Sequence, residues 1–105
     1  MDTSAAVLTP DLARAARALA QVSAQTVATA SELTRAEVRD FEHGRTALGP
    51  DALRRLRRAL EAYGVIFLDE DARFGAGVRK KFNRLKVRRL ETWENEGGPW
   101  AEDDI

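Results

Sequence analysis

Thr34, Arg35, Glu37 and Arg39 put polar chemistry at informative spacing in this 105-residue chain. A guanidinium is a planar fork of N–H donors, and its commonest specific contact with a nucleic acid is a pair of parallel hydrogen bonds to a guanine edge. Two such forks four residues apart share one face of a helix. Thr34 and Glu37 have the S/T-x-x-E spacing of a capping box. The Thr hydroxyl accepts from the third helical N–H and the Glu carboxylate reaches back to the cap amide. The pattern therefore predicts a helix that begins after Thr34 and displays Arg35 and Arg39. On an arbitrary helix such arginines are solvated surface groups, so the neighbouring elements decide what these two do.

Those elements can be read on either side. Ser23 is a good N-cap, and Val27, Ala28 and Ser31 give a helix over Ala24–Ser31 a small inward face. A second helix over residues 35–43 puts Val38 and Phe41 on one face with Leu33. Gly44 follows where a left-handed residue usually ends a helix. Two short helices joined by a tight turn form a helix-turn-helix, whose second helix is shaped to enter the DNA major groove.

Upstream, Thr9 as N-cap, Pro10 at the first helical position and Asp11 in the first turn predict another helix. Its expected buried stripe is Leu12, Ala15, Ala16 and Leu19, with Arg14 and Arg17 outside. Residues 1–8 are expected to be disordered, and residues 45–49 to form a loop. Pro50 and Asp51 open a fourth helix with Leu53, Leu56, Leu60 and Tyr63 inward, and Gly64 ends it. Arg54, Arg55, Arg57 and Arg58 fill its other faces, as solvated groups or as phosphate contacts.

The period then changes. The run Val65–Leu68 is β-branched and aromatic, which favours a strand. Residues 77–81 suggest a second strand and a hairpin. Two strands alone are marginal in water, so they must pack on a helix or on a second subunit. Asn83 caps an expected last helix over residues 84–95, striped with Val87, Leu90 and Trp93. Gly97, Gly98 and Pro99 stop it, and residues 97–105 read as an acidic flexible tail. The expected domains are 9–64 for DNA binding and 65–96 for dimerisation.

Composition excludes several classes. There is no Cys and a single His, His43, so neither a disulfide nor a thiolate or His-rich metal site is expected. No phosphate-binding glycine loop follows a strand, and Asp69, Glu70 and Asp71 match neither a calcium loop nor an acid–base pair. No enzymatic activity and no cofactor are expected. No apolar run is long enough to span a bilayer and no secretory signal is evident, so a cytoplasmic setting is the default. The 17 basic and 17 acidic residues cancel, but they are unevenly placed. Residues 65–90 carry eight basic and three acidic groups, and residues 91–105 carry six acidic and no basic ones. The run from Arg79 to Arg89 could clamp a DNA backbone or form the outer face of a dimerisation helix.

From Leu12 to about Leu60 the chain resembles the lambda repressor/Cro-like helix-turn-helix proteins, often called the XRE family. The most specific stretch is Ser23 to Gly44. It closes on Phe41-Glu42-His43-Gly44-Arg45, similar to the family's hydrophobic-Glu-x-Gly-basic ending. The continuation Ala59-Leu60-Glu61-Ala62-Tyr63-Gly64-Val65-Ile66-Phe67 resembles the ALE-x-x-GV-x-F segment of small bacterial members. The resemblance implies a mainly α fold: a compact lambda repressor-like bundle of four to five helices, followed here by a short β-hairpin and a C-terminal helix. It implies a usually dimeric transcriptional regulator. By position it places Arg35, Ala36, Arg39 and Asp40 toward bases. Gln25, Thr34, His43 and Arg45 fall at the DNA backbone.

Two positions depart from the family pattern. Ala24 stands where Gln is preferred, with Gln25 one residue later. Glu32 stands at the turn position usually held by Gly, where positive φ costs a side-chain-bearing residue on the order of 1 kcal/mol. The helix behind Thr34 also carries Glu37, Asp40 and Glu42, which would repel phosphate if they faced it.

The expected function is a sequence-specific DNA-binding regulator, more often a repressor in this family. It would bind double-stranded DNA at a pseudo-palindromic site as a homodimer, through Val65, Phe67, Val78, Val87, Leu90 and Trp93. One alternative is a protein-interaction module of the same fold, antitoxin-like or acting on another transcription factor. Another adds a protein partner recruited by the acidic, Trp100-containing tail.

Overall fold

The chain begins its first helix where three local preferences coincide. Thr9 is extended and its side chain accepts from the Leu12 amide, Pro10 occupies the first helical position and Asp11 the first turn. In the computed structural model, which describes residues 8–83, this helix is α1, Pro10–Ala20. It is followed by α2 (Ala24–Ser31), α3 (Arg35–Glu42) and α4 (Pro50–Ala62), then by β1 (Val65–Leu68) and β2 (Gly77–Lys80). The described chain is thus mainly α, four helices and one antiparallel hairpin. The expected last helix, with Val87, Leu90 and Trp93, lies outside the described residues, as do residues 1–7 and the acidic tail.

The core draws on every element. Ala13 and Ala16 of α1, Ala24, Val27 and Ala28 of α2, Val38 and Phe41 of α3, and Leu56 and Leu60 of α4 are buried together with Val65 and Phe67 of β1. Leu8, expected to be disordered, is buried in this core.

Several side chains differ from expectation. Ala15 is exposed and Ala13 takes its place, because the buried arc of α1 is centred between Ala13 and Ala16. Arg17 turns inward to meet a buried acid on α3. Tyr63 is 42% exposed, since α4 ends at Ala62 and Tyr63 is already its C-cap. Gly64 then takes φ +102°, a left-handed value open to glycine, and turns the chain into β1.

The hairpin pairs Val65 with Lys80, Ile66 with Arg79, Phe67 with Val78 and Leu68 with Gly77. Side chains alternate faces along a strand, so Val65, Phe67 and Val78 point inward while Ile66 and Leu68 point outward. Three residues expected at a dimer contact thus face the core of their own chain: Val65 is 1% and Phe67 8% exposed, and Val78 packs against the same core. The hairpin packs on α1 and α4 of its own chain, which supplies the apolar support that two strands need.

Candidate functional site

The turn between α2 and α3 sets the display of α3. Ser23 caps α2 by accepting from the Thr26 amide at 3.0 Å. Glu32 ends α2 at φ 62°, ψ 40°, so the turn keeps its left-handed geometry without glycine. Thr34 then forms the full capping box: its Oγ1 accepts from the Glu37 amide at 3.0 Å, and Glu37 Oε1 accepts from the Thr34 amide at 2.8 Å. That bond uses a lone pair of the Thr34 hydroxyl, so its proton remains available to an acceptor outside.

Val38, Phe41 and Glu42 hold α3 against the domain. Arg35 and Ala36 are exposed, while Arg39 and Asp40 are half-buried. At roughly 100° per residue these four positions cover about 140° of the helix circumference, one continuous face. The sequence expectation therefore names one surface for Arg35, Ala36, Arg39 and Asp40. Gln25, Thr34, His43 and Arg45 are also exposed, and the Gln25 amide donates to Thr29 Oγ1 at 3.1 Å on α2.

The three acids of α3 each have an internal partner. Glu37 is occupied by the capping box. Asp40 accepts from Arg45 at 3.0 Å, so a residue expected at bases and one expected at phosphate are paired with each other. Glu42 is 1% exposed and receives two bonds from Arg17, from Nε at 2.6 Å and from Nη2 at 3.0 Å. The Glu42 hydrogen bond is the main reason the Arg17 guanidinium is held above its ordinary pKa. Arg14 donates to the Glu42 carbonyl. Glu42 is therefore a structural acid facing the core.

What remains on α3 is basic. Arg35 and Arg39 make no ion pair among the described residues. The Arg39 Nε is buried without a hydrogen-bond partner. A buried unpaired donor costs about 1–3 kcal/mol. On α4, three of the four arginines are tied down. Arg54 and Arg55 pair with Asp51, Arg55 also donates to the Ser31 carbonyl at the end of α2, and Arg57 pairs with Glu61. Sequence spacing did not single out Arg17 and Glu42 as a pair, because they are 25 positions apart.

Among the described residues there is no cluster of His, Cys, Asp or Glu able to hold a metal, and no helix long and apolar enough to cross a membrane. A cleft of about 230 Å³ opens where α1, α4 and the hairpin meet, lined by Leu12, Arg57 and Phe67 among others. The Arg57 guanidinium lies 4.9 Å over the Phe67 ring. No residue of α2 or α3 lines this cleft, so it is separate from the α3 face. Compared with known proteins, the chain matches no family model and no curated sequence.

Proposed function

We propose that this protein is a sequence-specific DNA-binding transcriptional regulator, acting as a dimer and without enzymatic activity. In this reading α2 and α3 are a helix-turn-helix of the lambda repressor/Cro type, and α3 is the recognition helix. The observation that carries it is the exposed α3 face, where every acid is engaged internally and Arg35 and Arg39 are left to meet an acceptor.

The chemistry follows from that face. Arg35 and Arg39 offer bidentate forks to guanine O6 and N7, worth about 1–3 kcal/mol each in discrimination. Ala36 gives apolar contact with a thymine methyl. Asp40 keeps Arg45 in place. Thr34, Gln25, His43 and Arg45 contact phosphates, which set register and orientation without reading sequence. A two-fold dimer would read half-sites about one helical turn apart.

Selection of binding sites from a random duplex pool tests this, with wild type beside Arg35→Glu and Arg39→Glu. A shared pseudo-palindrome that either substitution abolishes is the expected result. Enrichment of no sequence, or enrichment indifferent to both arginines, would overturn the reading in favour of a protein partner for the same helix.

A further inference from the structure

The large apolar side chains left exposed among the described residues are Tyr63, Ile66, Leu68, Phe74 and Phe82. All lie between the end of α4 and the end of the hairpin, and none lies on α1, α2 or α3. Concentrated apolar exposure on a small domain marks an interaction surface. The register says which face it occupies. Ile66 and Leu68 point away from the core, and their cross-strand neighbours Arg79 and Gly77 share that outer face. A Cβ built on Gly77 would meet Leu68 Cδ1 at 3.9 Å, so Leu68 lies across the glycine. Lys81, whose amide donates to the Gly64 carbonyl at 2.9 Å, continues the outer face two residues beyond Arg79.

Charge runs along the hairpin. Its base carries Arg79, Lys80 and Lys81, and its tip, just past Leu68, carries Asp69, Glu70 and Asp71. The strands are four residues long, so the two ends are separated by roughly 10 Å. An apolar centre flanked by opposite charges at its two ends is self-complementary under a two-fold rotation. Turned end for end, one hairpin sets its acidic tip on the basic base of the other.

We propose that the outer face of the hairpin is the contact between two copies of this chain, packed antiparallel about a two-fold axis. Ile66 and Leu68 of each copy form the apolar centre. Arg79 and Lys81 of each face the acidic tip of the other, with Glu70, two residues beyond Leu68, on the outer side. This rests on the dimeric part of the reading above and assigns its surface. It is an isologous contact, in which the same patch serves both subunits. The apolar centre gives affinity, and the charges fix the antiparallel direction, since a parallel arrangement would put like charges together. Asp71 is outside the contact chemistry because its carboxylate is held by the amides of Arg73 and Phe74 within the loop.

The test is a charge exchange in the full chain, read by sedimentation at micromolar protein without DNA. One variant carries Arg79→Glu with Lys81→Glu, the other Asp69→Lys with Glu70→Lys. Each alone places like charges at both ends of the contact and is expected to sediment as a monomer. Mixed in equal amounts, they are opposite at both ends and are expected to restore a dimer. Wild-type protein that sediments as a monomer, a charge variant as dimeric as wild type, or a mixture that stays monomeric would each overturn the proposal. If a charge variant loses its helical circular dichroism, Ile66→Ser decides instead: it is expected to dissociate the dimer, and an unchanged dimer counts against it. The measurement contains no DNA, so its outcome is separable from site selection with the Arg35 variant.

Discussion

Arg17 on α1 and Glu42 at the end of α3 are joined by two hydrogen bonds, at 2.6 and 3.0 Å, with the acid 1% exposed. The pair fixes where α3 sits. Arg17 also donates to the Val22 carbonyl at 3.1 Å, so one guanidinium ties α1 to α3 and to the loop that leads into α2. Breaking a buried pair strands the remaining charge, at a cost of about 3 kcal/mol. Arg17→Ala, which leaves the buried Glu42 carboxylate unpaired, is expected to lower stability by that order in chemical denaturation, with Glu42→Ala non-additive in the double variant. Additive losses would show that the two residues act separately.

The capping box predicts a smaller effect. Thr34→Ala removes the acceptor for the Glu37 amide and is expected to cost about 1 kcal/mol. Thr34→Ser keeps it and is expected to stay near wild type. The comparison is made by thermal unfolding of both variants.

Glu32 carries the opposite sign. At φ 62° it holds a left-handed conformation that a Cβ disfavours. Glu32→Gly is expected to raise stability by about 0.5–1 kcal/mol, against the usual cost of introducing glycine. A loss of stability would show that the Glu32 side chain contributes more than its backbone costs.

Asp40→Ala separates charge from shape on α3. It removes an acid from the proposed DNA face and releases Arg45. Non-specific duplex binding is expected to tighten, because one charge that repels phosphate is gone from that face. An unchanged affinity would place Asp40 away from the duplex.

The hairpin loop responds to acid. The Asp71 carboxylate accepts from the Phe74 and Arg73 amides, both at 2.8 Å, and these bonds hold its pKa below the ordinary 3.8. The fold therefore favours the ionised form. That contribution is complete above the ordinary carboxylate value and is lost as pH falls through the lowered one. In an NMR titration the Arg73 and Phe74 amide signals are expected to move together with a midpoint below 3.8. Asp71→Asn is expected to abolish the transition.

The helices were legible because their signals are local. Thr9-Pro10-Asp11, Ser23 and the Thr34/Glu37 box each act within four residues, so the starts of α1, α2 and α3 follow from sequence alone. The period change at Val65 and the small inward face of α2 are likewise local patterns. The α3 surface follows too, since Val38 and Phe41 leave Arg35, Ala36, Arg39 and Asp40 on the other side.

Tertiary structure decided the rest. Whether Glu42 faced phosphate or core depended on Arg17, which is distant in the chain and adjacent only after α1 packs on α3. Alternation along β1 divides Val65 and Phe67 from Ile66 and Leu68, but only the packing of the hairpin on α1 and α4 says which pair is inside. Local backbone preference and periodicity act between near neighbours and are written in the sequence. The partner of a charge and the buried side of a strand depend on elements far apart in the chain, and they are settled when those elements meet.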